Sequence, residues 1–107
     1  MINLDLQGRR ALVTGGSGGL GRAIAETLAT AGARVAVHYR KGLDEAEAVV
    51  AAIQKLGGRA QAFQADVADP AAVETLMQAV EGAFGGLDIL VNNAGMDGPR
   101  AGPASPD

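Results

Sequence analysis

Val13-Thr14-Gly15-Gly16-Ser17-Gly18-Gly19-Leu20-Gly21 is the stretch on which the fold turns. It follows a short apolar run, Ala11-Leu12-Val13, and leads into a segment that carries Ile24, Ala25 and Leu28 at helical spacing. Strand, glycine turn and helix in that order leave free backbone N–H groups at a helix N-terminus, where a dinucleotide pyrophosphate can sit. Glycines serve such a turn by taking positive φ, by letting the backbone approach the phosphate, and by letting helix and strand pack closely. Two spacings overlap: Gly16-x-Gly18-x-x-Gly21 fits the general dinucleotide fingerprint, and Thr14-Gly15-x-x-x-Gly19-x-Gly21 fits a second pattern. With 16 glycines in 107 residues, chance matches come easily, and the competing reading of a glycine turn alone is a flexible loop. The flanking strand and helix favour the binding site.

Working outward, Arg9 to Thr14 reads as the first strand, with a continuous apolar centre suited to burial on both faces. Gly19 to Ala31 is predicted to be a helix with Leu20, Ile24 and Leu28 on one face, stopped by Gly32. Arg34 to Tyr39 is a second strand and Lys41-Gly42 a turn. Asp44 to Leu56 is a second helix, with Asp44 as N-cap, Glu47 closing a capping box and Ala46, Val49, Val50, Ile53 and Leu56 as its apolar stripe. Ala60 to Ala65 is a third strand. Asp69-Pro70 is a cap followed by proline at the first helical position, and Val73, Leu76, Met77, Val80 and Phe84 line the third helix. Leu87 to Val91 is a fourth strand, ahead of Asn92-Asn93-Ala94-Gly95, and residues 96–107 read as loop. The order β-α-β-α-β-α-β with short connections predicts an α/β fold with a parallel sheet. No inter-domain linker interrupts it, so residues 1–107 are expected to form a single domain.

The composition is globular, 48% hydrophobic and 20% charged, with only 3% aromatic residues; abundant alanine and glycine favour close helix–sheet packing over an aromatic core. The net charge of −3 does not indicate nucleic acid as a partner. Absence of cysteine excludes disulfide and thiolate chemistry and is compatible with the cytoplasm. No apolar run is long enough to span a bilayer, so a membrane is not expected as a partner.

Three motifs, each after a strand, make the assignment specific: Thr14 to Gly21 after the first, Asp66-Val67 after the third, and Asn92-Asn93-Ala94-Gly95 after the fourth. Together they resemble the N-terminal portion of a short-chain dehydrogenase/reductase, over essentially the whole chain. The resemblance implies a Rossmann-type sheet of order 3-2-1-4 and hydride transfer between NAD(P) and an alcohol/carbonyl pair. It also implies cofactor contacts at Gly15, Ser17, Gly18, Gly19, Leu20 and Gly21. Asp66 would accept from the adenine amino group, Val67 would pack beside the adenine, and Asn93, Ala94 and Gly95 would pass near the ribose. Competing structural readings are that Asp66 and Asp69 only cap the third helix, which suits Asp69 better, and that Asn93 to Gly95 is a plain turn.

Cofactor choice rests on the end of the second strand. A carboxylate about 20 residues past the glycine turn favours NAD; here Tyr39 and Arg40 stand in that place, followed by Lys41. A guanidinium binds a 2′-phosphate with paired N–H donors, so Arg40 favours NADP(H) over NAD(H), with Ser17 as a second donor. Gly18 departs from the pattern, since many NADP-preferring relatives carry a basic residue there. His38, the single histidine, lies inside the second strand and reads as a structural or surface residue rather than as a general base. Asp44-Glu45-x-Glu47 reads as the acidic start of a helix.

The resemblance also implies a Tyr-x-x-x-Lys pair and a serine as catalytic residues, and these are missing: the one tyrosine is Tyr39, with Leu43 four residues on. No catalytic residue is therefore expected, and the fold is expected to be incomplete relative to the family. The fourth strand would be left at an open edge, a site for self-association or for a partner chain that completes the sheet. Three functions stay open: the cofactor-binding part of an NADP-dependent oxidoreductase, a non-catalytic nucleotide-binding half-domain, and a sheet-edge interaction fragment.

Overall fold

Ala11, Leu12 and Val13 have no exposed surface, and the element they form, β1 (Arg10–Val13), lies inside a four-stranded sheet in the computed structural model, which describes residues 5–94. The chain continues through α1 (Gly19–Thr30), β2 (Arg34–Tyr39), α2 (Leu43–Lys55), β3 (Arg59–Gln64), α3 (Pro70–Phe84) and β4 (Ile89–Val91). The sheet order is β3-β2-β1-β4, with every pair parallel. Its register sets Val13 opposite Val37 and Val91, and Tyr39 opposite Gln64. The carboxyl ends of all four strands therefore lie along one edge.

Alternation along the strands divides the core in two. Ala11, Val13, Val35 and Val37 face α1 and α2 and pack with Ala25, Ala29, Val49 and Ile53. Leu12 and Ala36 face the other way and pack with Leu76, Val80 and Phe84 of α3. The third helix thus covers the face opposite the first two, because the crossover direction reverses after β3. Phe63 and Phe84 meet edge to face, with centroids 6.0 Å apart.

The amino ends of the strands carry arginines abreast, Arg10 opposite Arg34 and Arg34 opposite Arg59. Arg10 is tied to Asp88 (Nε to Oδ2, 2.9 Å) and donates from Nη1 to the Gly85 carbonyl at 2.9 Å. The Arg34 guanidinium lies 5.4 Å from the centre of the Phe84 ring. The helices end at this edge, where cations complement the negative pole of their dipoles. Hydrogen bonds from the Arg10 side chain and backbone hold the Asp88 carboxyl at about 2, below its ordinary 3.8.

Several boundaries differ from expectation by one or two residues: α1 ends at Thr30, β1 spans Arg10–Val13, β3 is shifted one residue earlier, and β4 begins at Ile89. Two differences have physical content. Asp44 is not the N-cap of α2: Gly42, at φ 88° and ψ 58°, holds that position without a side-chain cap, and Asp44 and Glu45 fall in the first turn. The left-handed glycine places the cap two residues sooner, and the two carboxylates complement the dipole from within. The buried stripe of α1 is Gly21, Ala25 and Ala29, with Ile24 and Leu28 half-buried beside it and Leu20 58% exposed. Small side chains bring this helix close to the sheet, and the larger ones flank the contact. Leu56, expected in the α2 stripe, is the exposed C-cap. Asp69 does cap α3, accepting from the Ala71 N–H at 3.0 Å, with Pro70 next in line. No helix among the described residues is long and apolar enough to cross a membrane.

Candidate functional site

The turn after β1 begins at Thr14, whose hydroxyl ties two strand ends together. Its Oγ1 accepts from the N–H groups of Asn93 (2.9 Å) and Ala94 (3.0 Å), and the hydroxyl lies 3.3 Å from both Val91 O and Asn92 Oδ1. Gly15 follows at φ +64°, a left-handed conformation that favours glycine. Its carbonyl accepts from Asn93 Nδ2 at 3.1 Å, and its N–H donates to His38 Nδ1 at 2.9 Å. The Gly16 N–H donates to the His38 carbonyl, also at 2.9 Å. The turn is thereby anchored to β2 on one side and to the end of β4 on the other.

Beyond that anchor the backbone is open. The first hydrogen bond of α1 runs from the Arg22 N–H to the Gly18 carbonyl at 3.3 Å, and the N–H groups of residues 17–21 have no partner among the described residues. A Cβ at Gly18 or Gly19 would meet no atom within 4 Å, so neither glycine is filling protein space. Gly21 is the opposite case: a Cβ there would strike the Gly15 carbonyl and stand 2.6 Å from Asn93 Nδ2. The start of α1 is pressed against the anchored part of the turn, and its free N–H groups present an anion-binding N-terminus. Ser17 is half-buried, and Leu20 is exposed at the rim.

On the β2–β3 side, Tyr39 is half-buried against the α1/α2 core. Arg40 is exposed, and its Nε stands 4.0 Å from Asp66 Oδ1. Asp66 is exposed and uses Oδ1 to accept from the Ala68 N–H at 3.0 Å, while its carbonyl accepts from the Asp69 N–H at 3.0 Å. Part of its role is therefore to shape the turn into α3. Val67 packs beneath it against the α3-side core. Asn93 is buried, and Ala94 is half-buried.

The structure brings Gly15, Ser17, Gly18, Gly19, Leu20, Gly21, Tyr39, Arg40, Asp66, Val67, Asn93 and Ala94 to the carboxyl edge of the sheet. Gly95, and the loop expected over residues 96–107, lie outside the described residues. Two roles were missed in the sequence: Thr14, read only as part of the glycine motif, is the hub, and His38, read as a structural or surface residue of the second strand, is a clamp on the turn. Their only local signals are a hydroxyl at a strand end before Gly-Gly and a lone histidine near the end of an apolar strand. No group of three or more His, Cys, Asp or Glu among the described residues is placed to hold a metal.

Comparison with known proteins gives a consistent result. The family described as short chain dehydrogenase matches residues 9–105. A short-chain dehydrogenase/reductase homolog from Bacillus subtilis is 47% identical over 91 residues, which cover 85% of this chain and 84% of that protein. A hydroxynaphthalene reductase from Aspergillus fumigatus is 48% identical over 94 residues, covering 88% of this chain but 34% of that protein. Among solved structures, a short chain dehydrogenase from Burkholderia cenocepacia in complex with NADP superposes with a TM-score of 0.81 at 63% identity, covering 84% of this chain and 37% of that one. The chain thus spans most of the Bacillus relative and about a third of the other two.

Proposed function

The chain belongs to the short-chain dehydrogenase family, and on that premise we propose that it is a single, partial NADP(H)-binding domain, the cofactor-holding part of an alcohol/carbonyl oxidoreductase. One observation carries the proposal: the N–H groups of residues 17–21 have no partner among the described residues and stand at the start of a helix whose turn is fastened by Thr14, His38 and Asn93. The residues fit a dinucleotide. The open amides and the space above Gly18 and Gly19 suit a pyrophosphate. Arg40, exposed and only loosely paired, suits a 2′-phosphate. The second oxygen of Asp66 suits an adenine amino group, with Val67 beside it. Asn93 and Ala94 would line the ribose side.

Bound there, the nicotinamide would supply or accept a hydride. This chain's own residues hold and orient the cofactor, but the sequence has no Tyr-x-x-x-Lys to move the accompanying proton. The cytoplasm, where reduced nucleotide is plentiful, is the expected location. Calorimetric titration with NADPH and NADH, with far-UV circular dichroism on the same samples, tests the proposal. Saturable binding to a folded chain, tighter for NADPH, is expected; a folded chain that binds neither would overturn it.

A second reading is favoured by β4, which among the described residues pairs only with β1 and leaves Leu90 53% exposed. An open edge with an apolar side chain invites another strand. Sedimentation velocity at several concentrations checks this reading, with a monomer at all of them counting against it.

A further inference from the structure

We propose that His38 is a positioning residue for the dinucleotide site, a clamp that holds the phosphate-binding turn and the adenine-side turn in one arrangement. The inference deepens the proposed function and rests on it for the identity of the ligand. The side chain is 1% exposed, so it touches no substrate and is not catalytic. Both ring nitrogens are used: Nδ1 accepts from the Gly15 N–H at 2.9 Å, and Nε2 lies 2.8 Å from the Ala65 carbonyl. An imidazole that accepts at Nδ1 while facing a carbonyl at Nε2 carries its proton on Nε2 and is neutral.

The connected segments give this arrangement a function beyond filling the core. Gly15 opens the turn that leads to the free amides of residues 17–21. Ala65 immediately precedes Asp66-Val67. The His38 carbonyl also accepts from the Gly16 N–H at 2.9 Å, so one residue binds two successive N–H groups of the turn inward. Those two amides are withdrawn from any ligand and the following ones are left for it. Without the ring acceptor, the Gly15 N–H would lose its partner in a part-buried position. The turn would then exchange among conformations, of which only a fraction bind, and apparent affinity falls by that fraction.

Two substitutions separate clamping from mere core packing. In His38→Asn, Oδ1 stands at about the place of Nδ1 and can accept from Gly15, but nothing reaches Ala65. His38→Leu fills the space and offers neither bond. Both variants lose stability through the unpaired Ala65 carbonyl, so a purely structural role makes affinity follow stability. The clamp predicts a split: NADPH binding weakens about tenfold or more in His38→Leu and stays within about threefold in His38→Asn. Amide exchange without nucleotide reads the same contrast, with Gly15 and Gly16 protected in the wild type and His38→Asn and exposed in His38→Leu.

Nitrogen-15 spectra of the wild-type ring make the inference testable even where the leucine variant does not fold; a proton on Nδ1 would overturn it. Equal affinities in the two variants, or Gly15 still protected in His38→Leu, would overturn it as well. A wild-type chain with a protected Gly15 that binds no nucleotide would instead refute the proposed function and leave the clamp on the turn standing.

Discussion

At the carboxyl end of the sheet three polar side chains are buried, Thr14, His38 and Asn93, exposed by 6%, 1% and 2%; at the amino end Arg10 and Asp88 meet with side chains 32% and 24% exposed. The first group consists of neutral donors and acceptors, and every buried side-chain nitrogen and oxygen among the described residues has a partner. The second is an ion pair open to water. Buried neutral hydrogen bonds lose much when one partner is removed, because the other cannot turn to solvent. An exposed pair loses little, since water and salt already compete for it. The contrast shows where geometry is enforced: tightly at the end that presents free amides, and loosely at the end where strands and helices are merely tied off.

Gly21→Ala is the strongest way to break the carboxyl end. Its methyl group would strike the Gly15 carbonyl and crowd Asn93 Nδ2. Overpacking of this kind costs about 1–3 kcal/mol, measurable by urea denaturation, and NADPH binding should disappear from the calorimeter because the turn itself must shift. Thr14→Val is next. It strips the acceptor from the Asn93 and Ala94 N–H groups, at an expected cost of about 2 kcal/mol in urea midpoint analysis. Wild-type stability in that variant would mean the hub is dispensable.

Arg40→Ala sharpens the comparison differently, since Arg40 is an exposed cation at the same end. NADPH affinity should fall about tenfold, with NADH affinity and thermal midpoint unchanged. An equal loss for both nucleotides would remove Arg40 as the phosphate reader. The smallest effect belongs to the amino end. Asp88 titrates at about 2 when folded and at 3.8 ordinarily. Its contribution is therefore complete above about pH 4 and is lost as the pH falls through about 2. In Asp88→Asn that part of the acid-induced decline should vanish, and the difference should shrink as salt is added. A variant whose thermal midpoint declines between pH 4 and 2 as the wild type does would show the pair to be idle.

Much of this was legible in the chain. The apolar triplet of β1, the Asp69-Pro70 cap and the glycines at helix ends are local signals, each acting within a few residues. The three motifs could be placed at strand ends for the same reason. Where local pattern misled, a neighbouring element intervened. Leu20 continues the four-residue spacing of Ile24 and Leu28, yet close packing of Gly21 against Gly15 rotates the buried stripe and leaves Leu20 outside. Asp44 resembles a cap, but the left-handed conformation of Gly42 starts the helix first. For Asp66 the sequence left two readings open, a ligand contact and a place at the start of α3; in the structure its Oδ1 and carbonyl shape the turn to Asp69.

By itself the sequence determined the kinds and order of the elements and a parallel sheet, because these follow from periodicity and turn chemistry, while its three motifs carried the family resemblance that implied the 3-2-1-4 order. Only the tertiary structure decided which polar groups meet. Gly15 and His38 are 23 positions apart, and Thr14 and Asn93 are 79 apart. Whether such pairs bond depends on strand register and on a few tenths of an ångström. The register sets Val13 level with Val37 and Val91, so the histidine one step beyond Val37 comes beside the glycine turn and the threonine one step beyond Val13 comes beside Asn93. That alignment is set by packing across the whole sheet, and no local stretch of residues contains it.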